Sequence, residues 1–221
     1  MKIKLGQPLS QATLAEWGFE NGQARHVLAE GEFELRMTMS DQELELVVYD
    51  LAMEEPYTLF EVASASGALV TALRQQVDDI LNRILGQQIQ DNPLVERLVE
   101  HVKATYGLAP AHPFKRHPEI IGFKVPTVDK LFGIFLPVDY CRLDKTSSRT
   151  DQVLVLNLKG KPEHIVERID NERYFPAYHM NKKHWFSLLL DAQTDWDQLT
   201  SLLAESYRLT QIGRASCRER V

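Results

Sequence analysis

A change of hydrophobic period constrains this chain more than any single motif. Phe33, Leu35, Met37 and Met39 alternate with Glu32, Glu34, Arg36 and Thr38, and a period of two marks a strand with one buried face. Ser40-Asp41-Gln42 can turn the chain, and Leu44, Leu46 and Val48 then repeat the alternation, which predicts an antiparallel hairpin. Pro56 breaks the run, and Tyr57 to Val62 reads as a third strand. From Gly67 the period becomes helical. Leu69, Leu73, Val77, Ile80, Leu81 and Ile84 fall on one face, and Gly86 is read as the stop. Three strands and a helix make a small α+β module over residues 1–88, its acidic faces solvated.

The segment from Gly86 to Pro93, GQQIQDNP, reads as a linker. Asn92 can cap the next helix with Pro93 at its first position. Leu94, Leu98, Val102 and Tyr106 form its apolar stripe and Gly107 ends it. Beyond an irregular segment with Pro110, Pro113 and Pro118 come strand candidates at Ile120 to Val125, Lys130 to Leu136 and Gln152 to Leu158. A helix from Pro162 buries Ile165, Val166 and Ile169; His184 to Leu190 is a further strand. A last helix, capped by Thr194, runs through Trp196, Leu199, Leu202 and Leu203 to near Tyr207. The order predicts a second α+β domain over residues 89–210, an antiparallel sheet with its helices on one face.

Charge separates the two domains. Residues 1–90 hold 6 Lys/Arg against 14 Asp/Glu, a net of −8, whereas residues 91–210 hold 16 of each. The formal net charge of −6 argues against a broadly basic nucleic-acid coat and leaves room for a local patch. No apolar run reaches the roughly 20 residues that span a bilayer, and MKIKLGQPLSQ lacks the apolar stretch of a signal peptide, so a cytoplasmic protein without a membrane partner is expected. Cys141 and Cys217 form neither a disulfide framework nor a metal spacing. The ending Gln211 to Val221, QIGRASCRERV, resembles the translation of a sequencing-adapter oligonucleotide and is read as non-native, so residues 211–221 are left out of the functional argument.

Within the second domain, Asn171 to Phe186 reads NERYFPAYHMNKKHWF, with Arg173, Lys182 and Lys183 among five aromatic residues. Cations reach phosphates and aromatic faces stack on bases. Lys159 and Lys161 end one strand, and Lys182 and Lys183 enter another. With His179, Asn181 and the Arg142, Lys145 and Arg149 connection they are read as one wing-like patch. Trp185 and Phe186 alternate across a strand; one faces the core, and Trp185 is placed with the patch.

Four stretches together resemble the MmcQ/YjbR family: VDKLFGIF at Val128 to Phe135, VLVLNLKGKPEHIVERI at Val153 to Ile169, YHMNKKHWFSLLLD at Tyr178 to Asp191 and LLAESYRL at Leu202 to Leu209. The resemblance spans residues 94–209. It implies a frataxin-like (CyaY-like) α+β fold, a bacterial type of protein and DNA as partner. Iron binding is not carried over, because the acidic face belongs to the unmatched first module.

Other chemistries find little support. His179 and His184 bracket lysines rather than carboxylates, so no metal site is expected. No GxSxG elbow, glycine-rich phosphate loop or HExxH pair is present, Cys141 has no histidine at a suggestive spacing, and neither an enzyme nor a cofactor is expected. The leading expectation is a phosphate-directed DNA binder with little base readout. The alternatives are a protein-interaction module whose basic cleft takes an acidic peptide, an acidic protein or the chain's own first module, and a small anion pocket.

Overall fold

A computed structural model of the chain describes residues 1–6, 8–114, 117 and 120–212. Readings that fall on Lys115, Arg116, Pro118 and the tail after residue 212 lie outside the described residues. The chain divides into two compact units, Met1–Gln88 and Ile89–Val221.

In the first unit, β1 (Lys2–Lys4), β2 (Gln23–Leu28), β3 (Phe33–Ser40), β4 (Glu43–Asp50) and β5 (Glu55–Pro56) form one antiparallel sheet. Its order is β1-β4-β3-β2, with β5 also on β4. The predicted hairpin is present. Ser40 pairs with Glu43 across Asp41, whose φ of 48° a tight turn demands. Phe33, Leu35, Met37, Leu44, Leu46 and Val48 point into a core shared with Leu73, Val77 and Ile84 of α2 (Ala68–Gln90). The short α1 (Gln11–Glu16), capped by Ser10, and strands β1 and β2 carry too few apolar residues to announce themselves by period.

Three expectations for this unit are corrected. Tyr57 to Val62 is not a strand. Pro56 lacks an N–H to continue the ladder, and the chain makes a 3₁₀ turn at Thr58–Phe60 that drives Phe60 into the core. The Arg74 guanidinium holds the turn open by donating to the carbonyls of Phe60 (3.2 Å), Val62 (2.7 Å) and Ala65 (2.9 Å). Gly86 does not stop α2, because Leu85 and Ile89 on either side of it are buried and their packing outweighs the roughly 1 kcal/mol a helical glycine costs. Leu69 is exposed, and Val70 takes its place inside.

In the second unit, Asn92 Oδ1 accepts from the Leu94 N–H (2.9 Å) and starts α3 (Pro93–Tyr106), which Gly107 closes in the left-handed conformation. The antiparallel sheet has the order β6-β7-β8-β10-β9, built from β6 (Gly122–Val125), β7 (Lys130–Asp139), β8 (Gln152–Lys159), β9 (Tyr174–Pro176) and β10 (Trp185–Leu190). Val95, Leu98 and Val102 of α3, Ile165 of α5 (Pro162–Arg168) and Leu199, Leu202 and Leu203 of α6 (Trp196–Ile212) pack on one face. On the other, Ile134, Leu136, Val138, Val155, Phe175 and Leu189 lie under Tyr140 and Leu143 of the single-turn α4 (Tyr140–Leu143) and under Tyr178. The fold is α+β with its long helices on one face of an antiparallel sheet. Val166, expected inside, is 79% exposed: the α5 helix is seven residues long and turns only Ile165 fully inward. Asp195, rather than Thr194, caps α6, its carboxylate accepting from the Gln198 N–H at 2.7 Å.

A bulge in the β6–β7 pairing fixes the sheet's cationic end. The register shifts between Phe123 and Lys124, so that Phe132 is the extra residue. Ser206 of α6, fully buried, donates its hydroxyl to the Phe132 carbonyl and accepts the Lys159 N–H at 2.8 Å. Tyr207 then stacks on Tyr106, with ring centroids 4.2 Å apart, and meets Phe132 edge-on.

Candidate nucleic-acid interface

Strand pairing decides which predicted residues meet. Lys159 lies opposite Trp185 in the β8–β10 register, and the ladder continues as the Gly160 N–H donates to the His184 carbonyl at 3.1 Å. This places Lys159 and Lys161 beside the turn that carries Lys182, Lys183 and His184. Asn181 builds that turn. Its Oδ1 accepts from the Lys183 N–H, and its carbonyl accepts from the N–H groups of His184 and Trp185, each at 3.0 Å. The Asn181 amide oxygen is thus committed to presenting the lysines. Both Lys182 and Lys183 are exposed.

Trp185 and Phe186 are both buried, at 8% and 0% exposure, and Phe186 packs in the core with Ile165 of α5 and Leu202 of α6. The Lys159 ammonium reaches over the Trp185 ring, 5.1 Å from its centroid. Trp185, placed with the patch, thus lies beside Lys159 as a buried floor under its cation rather than as an exposed ring.

Lys159 has the most perturbed environment in the group. Its Nζ donates to Thr210 Oγ1 at 2.9 Å, and burial together with the nearby Lys130 ammonium lowers its pKa to about 8. Among the described residues no carboxylate pairs with Lys130, Lys159, Lys161, Lys182 or Lys183. Lys130, which starts β7, was missed because nothing in its local sequence sets it apart. Only its effect on Lys159 across the sheet places it with the patch.

The remaining cations behave differently. β8 runs about 23 Å from Gln152 to Lys159 at roughly 3.3 Å per residue, so the connection holding Arg142, Lys145 and Arg149 leaves from the sheet's far end. Arg149 is held by both oxygens of Asp151 (3.0 and 2.7 Å) and stacks over Tyr140. Arg142 pairs with Asp139 and donates to Tyr178 Oη at 3.1 Å, and that hydrogen bond raises its pKa. Lys145 is exposed in the same connection. His179, at a φ of 55°, rests against the Tyr178 ring, centroids 4.1 Å apart. Arg173 is bound to Asp191 and Thr194 and serves the fold.

The path of Tyr178 is set by a buried pair facing each other across β8 and β10. Asn157 Nδ2 donates to the Tyr178 carbonyl (2.8 Å), the Tyr178 N–H donates to Ser187 Oγ (3.0 Å), and Ser187 donates to Asn157 Oδ1 (2.6 Å). Both polar side chains are fully buried and mutually satisfied. Among the described residues no group of three or more His, Cys, Asp or Glu is placed to hold a metal, and no helix is long and apolar enough to cross a membrane.

Comparison with known proteins agrees with the second unit alone. The YjbR family model matches residues 103–209. The uncharacterized protein YyaQ of Bacillus subtilis is 31% identical over 117 residues, which are 52% of this chain and 97% of YyaQ. The chain belongs to the YjbR family. Two similar solved structures come from Pseudomonas syringae (26% identity, TM-score 0.48, 52% of this chain and 97% of that one) and from Deinococcus radiodurans, a protein with a DUF419 domain (25% identity, TM-score 0.36, 50% and 76%). Residues 1–102 lie outside the YjbR match.

Proposed function

We propose that the YjbR unit binds nucleic acid through its phosphates, using Lys130, Lys159, Lys161, Lys182 and Lys183 at one end of the sheet. One observation supports this reading: backbone register sets Lys159, Lys161, Lys182 and Lys183 at the end of the sheet where Lys130 starts β7, and no carboxylate pairs with them among the described residues. Elsewhere in the unit Lys124, Arg142, Arg149 and Arg173 are each paired with an aspartate. Lysine ammoniums are point charges suited to phosphate oxygens rather than to base edges, and the buried Trp185 leaves no exposed indole for stacking. The reading is accordingly of weak binding with little sequence preference.

The test is a titration of the full chain and its Lys182→Glu/Lys183→Glu variant against duplex DNA over a range of salt. Four or five phosphate contacts give a slope of log K against log salt of about −4, and loss of two makes it shallower by about 2. An unchanged slope in the variant, or no binding by the parent at low salt, refutes the proposal. The acidic first unit favours a second reading, in which the patch takes a carboxylate-rich protein segment. An acidic peptide that binds while DNA does not would select it.

A further inference from the structure

We infer that Lys159 is a site of acyl modification: its side-chain amine accepts an acyl group from an anionic acyl phosphate, and the transfer removes one charge from the cationic end of the sheet. The geometry starts at Thr210. The Thr210 hydroxyl donates its hydrogen to the Ser206 carbonyl at 2.9 Å, so toward Lys159 Nζ it can act only as an acceptor, at 2.9 Å. One N–H of Lys159 is thereby anchored in either protonation state, and the lone pair of the neutral amine is left uncommitted. The groups facing this amine are the Trp185 ring from β10, the Thr210 hydroxyl from α6 and the Lys130 ammonium from β7. None is an anion, and no carboxylate pairs with it among the described residues. A half-buried ammonium in that setting is poorly compensated, and it favours losing its proton. The neighbouring Lys130 ammonium favours the approach of an anionic donor.

The step balances without an oxidant or metal. The ammonium first gives one proton to water. The Nζ lone pair then attacks the carbonyl carbon of the acyl phosphate, a C–N bond forms as the C–O bond to phosphorus's oxygen breaks, inorganic phosphate leaves, and the second proton passes from nitrogen to solvent. The product is a neutral amide, which keeps one N–H for Thr210 Oγ1.

The rate advantage follows from the proton equilibrium. At pH 7.5 an amine titrating at about 8 is neutral some two hundred times more often than an ordinary lysine near 10.4. Lower basicity takes back about one order of magnitude, by a Brønsted trade-off of the kind known for thiols, and half-burial takes back a little more. About a tenfold excess over exposed lysines remains.

The experiment incubates the full chain with acetyl phosphate at pH 7.5 and follows each lysine by mass spectrometry. Lys159 is expected to react about ten times faster than Lys182 and Lys183 in the same tube, and Lys130→Met is expected to lower the Lys159 rate several-fold while leaving those two unchanged. A Lys159 rate equal to or below the exposed lysines overturns the inference, as does indifference to Lys130→Met. Because the readout contains no nucleic acid, its failure is separate from failure of the DNA titration.

Discussion

Replacing Ser206 with alanine removes one oxygen atom and strands two backbone groups. The Ser206 hydroxyl is fully buried, donates to the Phe132 carbonyl and accepts the Lys159 N–H. The Phe132 carbonyl sits at the bulge, where the β6–β7 ladder has slipped, so α6 supplies the partner that the neighbouring strand does not. An unsatisfied buried carbonyl or N–H costs about 1–3 kcal/mol. The Lys159 N–H lies at a half-buried strand end that water can reach, so its share belongs at the low end. The expected loss is therefore about 2–3 kcal/mol for Ser206→Ala, with a smaller loss for Ser206→Cys, which keeps the shape and a weak donor. Urea unfolding followed by tryptophan fluorescence measures this. Trp185 and Trp196 report the second unit and Trp17 the first, so a Trp17→Phe background isolates the relevant transition. A Ser206→Ala midpoint shift worth less than about 0.5 kcal/mol, the scale of an uninvolved surface substitution, would show that the hydroxyl only fills space and would refute the bulge argument.

Two further substitutions probe the same end of the sheet. A Cβ added at Gly122 would stand 2.7 Å from the Gly133 carbonyl oxygen, which is backbone and cannot rotate away. Gly122→Ala is thus expected to cost about 1–3 kcal/mol in the same urea assay. Lys159→Met tests the burial of the ammonium through pH. Its pKa is depressed on folding, so between about 8 and the unfolded value near 10.4 the unfolded chain binds more protons and stability rises with pH. Below pH 8 the folded unit carries the whole penalty, so Lys159→Met is expected to stabilise at pH 7 by on the order of 1 kcal/mol, after discounting for partial exposure. That gain should vanish toward pH 10. Equal effects at both pH values would contradict it.

Much of this fold is legible in the chain because period and caps speak locally. The β3–β4 hairpin, the Asn92-Pro93 helix start and the Gly107 stop each rest on residues within a few positions of one another. What the sequence conceals depends on partners far along the chain. β9 has three residues, one of them a proline, and exists because β10 offers it an edge. Tyr57 to Val62 has strand composition, yet Arg74, more than ten residues later, gathers its carbonyls into a turn. At the candidate site, Lys182 and Lys183 were visible as a basic run among aromatics. That Trp185 is a floor, that Asn181 is spent on the turn, that Lys130 joins and that Arg149 is neutralised are all consequences of register and ion pairing.

The stretches that resemble the family hold scaffold residues and the patch lysines together. Phe186 and Phe132 are core, Asn157 appears as the partner of Ser187 and Tyr178, and Ser206 joins α6 to two strands. Lys182 and Lys183 stand exposed in the turn that this scaffold sets, whereas Lys159 is half-buried against Thr210 and Trp185. Family membership therefore does not by itself separate scaffold from ligand site, and the two are taken apart experimentally. Charge reversal at Lys182 and Lys183 should leave unfolding unchanged within about 0.5 kcal/mol, as exposed positions do, while altering the salt slope of DNA binding. Ser206→Ala should do the reverse first, lowering stability while the refolded unit keeps its surface charge. If reversing the two lysines instead destabilised the unit as much as Ser206→Ala, the cationic turn would belong to the architecture, and the argument for a phosphate ligand would lose its footing.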